Sequence, residues 1–202
     1  GYMILNGHHR WFAVHFTDLK KIPIEIANVI PQEEILSRLQ NSDKNMCVSF
    51  DLDEVLLTDR SEIRGEDEPF FFRWMFRKTL RKNTAALTRQ LRRYGFDVWI
   101  YTGSSYSEKY LRRLFSLHHA EVDGMINCMF RKKADSGLRE SFRRKYAYSV
   151  HIDNEGITWV NTATREFDCI DLRNGNEGWA AEALGRIRRL DFVQKSRGEG
   201  YD

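Results

Sequence analysis

The chain has 202 residues, of which 42% are hydrophobic and 30% charged, and its formal net charge at pH 7 is +3. This length suits one domain with an extension, and the composition excludes a chain that is disordered throughout. No apolar run approaches the roughly 20 residues that a membrane span needs, and the first ten residues are not typical of a secretory signal. We therefore expect a soluble protein without a membrane span.

The three cysteines indicate a reducing environment. Cys47, Cys128 and Cys169 each fall in an apolar run that is typical of a buried strand, and no two have C-x-x-C spacing. An odd number of cysteines in such positions favours reduced core thiols over a disulfide framework or a zinc site. We therefore expect an intracellular protein, cytoplasmic or nuclear.

Basic residues are concentrated in two stretches, residues 77–93 and 139–145. One interpretation is that they form solvated helix faces. The other is a positive rim that attracts phosphorylated or nucleic-acid substrates. Composition does not separate these interpretations, and nucleic acid remains a possible but less favoured partner.

The first 45 residues differ from the rest and are predicted to form an N-terminal extension. Residues 3–5 and 11–16 are largely apolar and flank Asn6 and Gly7, which predicts a hairpin. Pro31 is then expected to open a short helix.

From residue 46 onward, short apolar runs alternate with amphipathic stretches. The runs predict five strands, at residues 46–50, 97–101, 126–130, 148–152 and 167–172. The stretches predict helices near residues 80–94, 107–118, 138–145 and 179–187. Such alternation predicts a parallel sheet with right-handed crossovers, and hence a three-layer α/β domain over residues 46–195. Within it, residues 58–76 are expected to form a small flap, and residues 196–202 a flexible tail.

Two carboxylates follow the first predicted strand. Ligands bind outside the carboxyl ends of strands in sheets of this kind, and the spacing of Asp51 and Asp53 directs both toward one site. Clustered carboxylates attract a hard divalent cation such as Mg²⁺. Asp51 can then attack phosphorus and form an aspartyl-phosphate, while Asp53 protonates the leaving oxygen and later activates water. The alternative is an acidic strand-to-loop turn.

Polar residues also follow the second and fourth predicted strands. The Thr102 hydroxyl and the backbone N–H groups near Gly103 and Ser104 can bind phosphate oxygens, although a serine-rich helix cap is the alternative. Asp153 and Asn154 can supply oxygen ligands for Mg²⁺, although an Asx turn is the alternative there. Three such signals at the ends of three parallel strands favour one common site.

The chain resembles a known enzyme family in four segments: residues 51–55 (DLDEV), 100–104 (IYTGS), 128–131 (CMFR) and 152–154 (IDN). It resembles the haloacid dehalogenase superfamily of phosphohydrolases, and within it the C-terminal-domain phosphatase (NLI-interacting-factor-like) group, over about residues 46–190. The resemblance implies a Rossmann-like sheet, Asp51 as nucleophile and Mg²⁺ ligand, and Asp53 as acid–base residue with its backbone carbonyl on Mg²⁺. It also implies that Thr102 holds the phosphoryl group and that Asn154 binds Mg²⁺ with Asp153 nearby.

The lysine that this family uses to balance phosphate charge has no clear counterpart. Lys132, Lys133 and Lys145 are the candidates. Lys145 precedes a strand, at the amino edge of the sheet, which disfavours it. Lys133 precedes a helix on the carboxyl side and is our prediction, with Lys132 close behind as a substrate-binding residue.

These residues predict a Mg²⁺-dependent phosphomonoester hydrolase. A small flap leaves the site open, which suits a phosphoprotein, and the resemblance favours phosphoserine or phosphothreonine. A nucleotide or nucleic-acid end phosphatase remains an alternative because of the basic helices. A catalytically weak binding protein with the same fold is the other alternative.

Overall fold

A computed structural model of the chain describes residues 4, 8–17, 21–24, 30–59, 65–67, 76, 78–104, 106–127, 135–160, 165–168, 178–190 and 193. These residues form a mostly parallel sheet flanked by helices. The predicted α/β class is therefore confirmed, and the architecture is compatible with a Rossmann-like sheet. No helix in the described ranges combines the length and the apolar character needed to cross a membrane.

The strands form one large sheet and one small ladder. The bounds of the strands are β1 Met46–Asp51, β2 Leu57–Asp59, β3 Lys78–Leu80, β4 Phe96–Thr102, β5 Gly124–Asn127, β6 Tyr148–Ile152, β7 Ile157–Val160 and β8 Arg165–Asp168. The large sheet has the order β5-β4-β1-β6-β7-β8, and β2 pairs with β3 in a separate antiparallel ladder. In β1, the residues from Met46 to Phe50 are all buried, as expected for a parallel strand that is covered on both faces.

The central strands of the large sheet are parallel. β1 lies between β4 and β6, and β5 pairs with β4, all in parallel. These strands correspond to the first four predicted strands, although β5 begins at Gly124 and residues 128–130 lie outside the described residues. Their carboxyl ends share one edge of the sheet, so the loops that follow them open on the same side.

The fifth strand differs from the prediction. It is β8, which reaches the sheet only through β7, and both β7 pairings are antiparallel. The reason lies in the short connection after β6, where the backbone N–H of Asp153 donates to the carbonyl of Gly156 at 3.0 Å. A connection this short joins antiparallel strands but cannot make a parallel crossover. The prediction of an all-parallel sheet is therefore wrong at this end.

The described residues form six helices: α1 His8–His15, α2 Gln32–Asn41, α3 Thr84–Arg93, α4 Glu108–Leu117, α5 Asp135–Lys145 and α6 Trp179–Arg188. Right-handed crossovers place α3 and α4 on one face and α5 on the other. α6 packs against α3, and α2 packs against α5. The predicted helix near residues 80–94 begins only at Thr84, because Leu80 belongs to β3. Gly95, with φ of 84°, ends α3 in the left-handed conformation typical of a helix stop.

The N-terminal extension contains a helix where a hairpin was predicted. Residues 11–15 lie in α1, so the second strand of the predicted hairpin is wrong. Two pairs of aromatic rings, each spaced four residues apart, explain the difference. Trp11 stacks on His15 with ring centroids 5.7 Å apart, and Phe12 contacts Phe16 with ring centroids 4.7 Å apart. Such pairs stabilise helices. The helix predicted after Pro31 is confirmed as α2.

The predicted flap lies between the strands of the small ladder. β2 and β3 bracket residues 60–77, most of which lie outside the described residues. Phe76, at the end of the aromatic run, is buried and contacts the ring of Tyr110 on α4 at 5.4 Å. Phe76 therefore packs against α4. The flap itself stays a prediction.

Candidate active site at the carboxyl edge

Asp51 ends β1 and begins the turn that carries the next two acidic residues. Its Oδ1 accepts a hydrogen bond from the backbone N–H of Glu54 at 3.0 Å. The turn is a single π-helical turn, Leu52–Leu56, whose Leu52, Val55 and Leu56 side chains are buried. Burial of these apolar side chains leaves Asp51 and Asp53 only partly buried. π-Helical turns are rare and frequent at functional sites.

Thr102 links the end of β4 to that turn. Its hydroxyl donates to Oδ2 of Asp53 at 2.8 Å and accepts from the backbone N–H of Ser104 at 3.1 Å. Thr102 is only 2% exposed. A threonine hydroxyl has one proton to donate, and here Asp53 receives it. In this arrangement Thr102 orients the predicted acid–base residue.

Asp153 follows β6 and forms the Asx turn that was the alternative interpretation. Its Oδ1 accepts from the backbone N–H of Glu155 at 2.9 Å and of Gly156 at 3.1 Å. Both bonds use Oδ1, so Oδ2 lies outside this turn. Asn154 is exposed beside it. A structural turn and a ligand role are compatible for Asp153, because its second oxygen takes no part in the turn.

The register of the sheet brings these loops together. Asp51 is aligned with Tyr101 on one side, and Phe50 is aligned with Ile152 on the other. Asp153, the residue after Ile152, therefore leaves the sheet at the level of Asp51, from the strand next to β1. The three predicted loops meet at one edge of the sheet.

The acidic side chains at this edge influence one another. Desolvation, followed by the negative charges of Asp51, Asp153, Asp53 and Glu155, raises the pKa of Glu54. The contributing charges come from both the β1 turn and the β6 turn. Glu54 and Glu155 have no predicted role, although each lies next to a predicted ligand in the sequence.

The donor groups at this edge fit Mg²⁺ by their chemistry. The predicted ligands are carboxylate, amide and backbone carbonyl oxygens from Asp51, Asp53, Asp153 and Asn154, all of which are hard oxygen donors. No three acidic, histidine or cysteine side chains among the described residues are close enough to share one ion. Mg²⁺ commonly uses only one or two carboxylates and keeps several waters. The predicted donors therefore remain suitable for it.

His151 lies beneath the acidic residues. Its Nδ1 is 2.9 Å from the Ser49 hydroxyl oxygen, and its ring meets the Tyr101 ring edge-on at 5.8 Å. Burial lowers the pKa of His151, and this effect outweighs the negative charges of Asp153 and Asp51, which raise it. This histidine has no role predicted from the sequence. The i, i+2 spacing from His151 to Asp153 was the available signal.

Gly103 and the candidate lysines are the remaining predicted site residues, and the structure describes only some of them. Gly103 is exposed, with open space around the position of a Cβ. The Lys145 ammonium donates to the carbonyl of Ser42 at the opposite, amino edge, which is the location that disfavoured it as the phosphate-binding lysine. Lys132 and Lys133 lie outside the described residues. The lysine assignment therefore stays a prediction.

Comparison with known proteins identifies no relative. No protein-family model, curated protein or solved structure matches the chain. The resemblance to haloacid dehalogenase phosphatases therefore depends on the four sequence segments. Any functional assignment depends on those segments and on the geometry at the carboxyl edge.

Proposed function

We propose that this chain is a Mg²⁺-dependent phosphomonoester hydrolase of the haloacid dehalogenase type, with Asp51 as its nucleophile. The observation that supports this most is the hydrogen bond of 2.8 Å from Thr102 to Asp53. It fixes a second carboxylate beside Asp51, at the edge where Asp153 also leaves the sheet. A nucleophile, an oriented acid–base group and oxygen ligands for a cation are the groups that this reaction needs.

In the first step, Oδ2 of Asp51 attacks the phosphorus atom. The bond from phosphorus to the leaving oxygen breaks, and that oxygen takes a proton from Asp53. Oδ1 of Asp51 is held by the backbone N–H of Glu54, so Oδ2 is the attacking atom. The product is an aspartyl-phosphate on Asp51 and the free alcohol.

In the second step, a water oxygen attacks phosphorus and gives its proton to Asp53. The phosphorus–oxygen bond to Asp51 breaks, which restores the carboxylate and releases inorganic phosphate. Thr102 holds Asp53 in place for both transfers through its donated hydrogen bond. Mg²⁺, held by Asp51, Asn154 and the Asp53 carbonyl with Asp153 nearby, would offset the negative charge of the carboxylate and the phosphoryl oxygens.

A phosphoprotein is the substrate class that we favour, following the resemblance to phosphoserine and phosphothreonine phosphatases. A nucleic-acid end was the rival because of the basic helices. The last turn of α5 contains Arg143, Arg144 and Lys145, and Lys145 lies at the amino edge. This turn is therefore remote from Asp51, which reduces the support for a nucleic-acid end as the substrate.

Hydrolysis of p-nitrophenyl phosphate with Mg²⁺ tests the proposal. Asp51→Asn keeps the shape of the side chain but removes the nucleophile, so we expect its kcat to fall by about a thousandfold or more. Asp43→Asn is the matched control, because Asp43 is exposed and precedes β1, away from the carboxyl edge. Equal rates for wild type and Asp51→Asn would reject the enzyme and favour a binding protein.

A further inference from the structure

The ends of α3 and α6 lie together at the amino edge of the sheet, opposite the candidate active site. Near the start of α6, the Trp179 indole N–H donates to the carbonyl of Lys82, just before α3. At the other end, the Arg188 guanidinium lies over the ring of Tyr94, 5.7 Å from its centroid. The two helices therefore run side by side in the same direction. Only Tyr94 and Gly95 separate the end of α3 from Phe96, which is the first residue of β4.

This end of the molecule exposes several arginines. Arg89 and Arg93 on α3, Arg188 at the end of α6 and Arg189 just after it are all exposed. α3 contains no acidic residue. Within the described part of the chain, neither Arg93 nor Arg189 has an ion-pair partner. Arg93 and Arg189 therefore carry positive charge that no described side chain neutralises.

A cleft of about 200 Å³ opens beside these arginines, between β7 and the end of α6. Its lining consists of apolar side chains, one indole and two arginines: Ile157, Trp159, Arg186, Ile187, Arg189 and Leu190. Trp159 is half-buried and is the residue before the last in β7. β7 runs antiparallel to β6, so this end of β7 points to the amino edge. Arg189 belongs both to the cleft and to the exposed basic surface.

The size and lining of the cleft restrict what it can bind. Sites for whole small-molecule ligands usually measure about 300–1,000 Å³, so this cleft has room for one planar ring and not for a complete cofactor. Indole rings stack on nucleobases, and guanidinium groups form bidentate hydrogen bonds with phosphates. Helix dipoles favour cations in a last helical turn, but they do not explain an aromatic cleft between the cations.

We propose that the amino-edge basic surface, formed by Arg93, Arg188, Arg189 and the Trp159 cleft, binds single-stranded nucleic acid. One base occupies the cleft against Trp159, and flanking phosphates contact the three arginines. A duplex hides the faces of its bases in its own stack, and an acidic peptide lacks a ring at each repeat. Single strands therefore match this surface best.

Fluorescence anisotropy of a labelled oligothymidylate of about 12 nucleotides, titrated with the full chain at about 50 mM salt, tests the proposal. We expect Arg93→Glu/Arg189→Glu to bind at least about tenfold more weakly. The slope of log affinity against log salt should also become shallower by about 1.4, because two contacts each contribute about 0.7. Lys109→Glu/Arg113→Glu is the control, since it changes net charge equally at two exposed cations on α4, outside the amino-edge basic surface.

Variants of Trp159 test the stacking of a base separately from the charge of the surface. We expect Trp159→Leu to bind about tenfold more weakly with an unchanged salt slope, and Trp159→Phe to retain affinity because a ring remains. Circular dichroism checks that both variants are folded. The proposal fails if wild type does not bind the single strand, or if the control double variant weakens binding equally. Equal binding of duplex or of polyglutamate would also overturn it.

This proposal is independent of the proposed hydrolase. Asp51 lies at the carboxyl edge and takes no part in the amino-edge basic surface. Asp51→Asn should therefore bind the oligonucleotide with unchanged affinity while losing hydrolysis. Absence of hydrolysis in wild type with intact binding would reject only the enzyme, and the reverse result would reject only the nucleic-acid surface.

Discussion

Thr102 is the residue through which the β4 end and the β1 turn act together. Its hydroxyl donates to Asp53 and is buried. The family resemblance implies that a threonine here holds the phosphoryl group. The hydrogen bond to Asp53 implies a positioning role. These two roles affect different kinetic constants, so they can be separated.

We expect Thr102→Val to lower kcat for p-nitrophenyl phosphate by about 10- to 100-fold with little change in KM. Valine matches the shape of threonine but cannot donate to Asp53, and a hydrogen bond to a charged group contributes about 1.5–3 kcal/mol. Thr102→Ser restores the donor and should recover most of the activity. Steady-state kinetics checks both variants. A rise in KM with unchanged kcat would instead assign Thr102 to phosphate binding.

At the scale of whole elements, a buried polar network holds α5, β4 and the segment before β1 together. The Tyr146 hydroxyl, just after α5, donates to Oδ2 of Asp97 at 2.7 Å and accepts from the Trp99 indole at 2.9 Å. The Ser42 hydroxyl and the Lys44 ammonium also contact the Asp97 carboxylate, which is 3% exposed. A buried carboxylate with this many partners is stabilising only while they are all present.

Tyr146→Phe should lower the free energy of unfolding by about 2–3 kcal/mol, because a buried carboxylate and a buried indole each lose a partner. Urea unfolding followed by circular dichroism measures this. The difference between wild type and variant should also depend on pH. Burial and the hydrogen bond to Asp97 raise the pKa of Tyr146 above its ordinary value of 10.0.

The sign of that pH dependence follows from the raised pKa. Above pH 10 the unfolded chain loses the Tyr146 proton while the folded chain keeps it, so unfolding is favoured as pH rises. The stabilisation is therefore complete below pH 10 and declines above it. The advantage of wild type over Tyr146→Phe should shrink from pH 9 to pH 11. An advantage that stays constant over this range would contradict the network.

The sequence predicted elements well where one physical signal dominated. β1 and β4 are buried strands whose apolar runs stand out between polar stretches, and β6 alternates, with Val150 and Ile152 buried. β7 has only four residues and follows a tight turn, so no separate run marked it. α1 was misassigned because aromatic residues favour strands locally, whereas the ring pairs that stabilise the helix appear only once it has formed.

The candidate site was predictable in position but not in its contacts. Parallel strand ends share an edge, so the proximity of Asp51 and Asp153 followed from the pattern alone. The Thr102–Asp53 hydrogen bond did not, because it depends on the π-helical turn after β1, which has no simple sequence periodicity. The contact of His151 with Ser49 was not predictable for a similar reason, since it requires the register of two strands.

At the scale of the whole molecule, the described residues that follow β1 and β6 include a cluster of acidic side chains, whereas the last turns of α3, α5 and α6 are basic. The carboxyl edge collects the acidic side chains that raise the pKa of Glu54, and the amino edge collects the ends of the basic helices α3, α5 and α6. Helices that run from the carboxyl edge to the amino edge favour cations in their last turns. The net charge is only +3, although acidic and basic side chains are concentrated in different parts of the molecule.

The Mg²⁺ site proposed at that acidic edge predicts that the stability of the chain depends on the cation. Carboxylates that repel one another destabilise the folded state, and a cation that binds only the folded state stabilises it by about 2.7 kcal/mol at 100 times its Kd. For a chain of this size, that free energy corresponds to a rise in Tm of about 5–10 °C. We therefore expect Mg²⁺ to raise the Tm of wild type by this amount, in differential scanning fluorimetry against sodium chloride of equal ionic strength.

The variants already described distinguish a specific site from general screening. Without Mg²⁺, Asp51→Asn should melt above wild type, because one repelling charge at the acidic edge is gone. With Mg²⁺, its Tm should rise much less than that of wild type, whereas Asp43→Asn should respond as wild type does. If Asp51→Asn and wild type gain the same Tm, the cation acts without Asp51. The carboxyl edge would then lack the ligand that the proposed chemistry requires, whatever the kinetics of aryl phosphate hydrolysis.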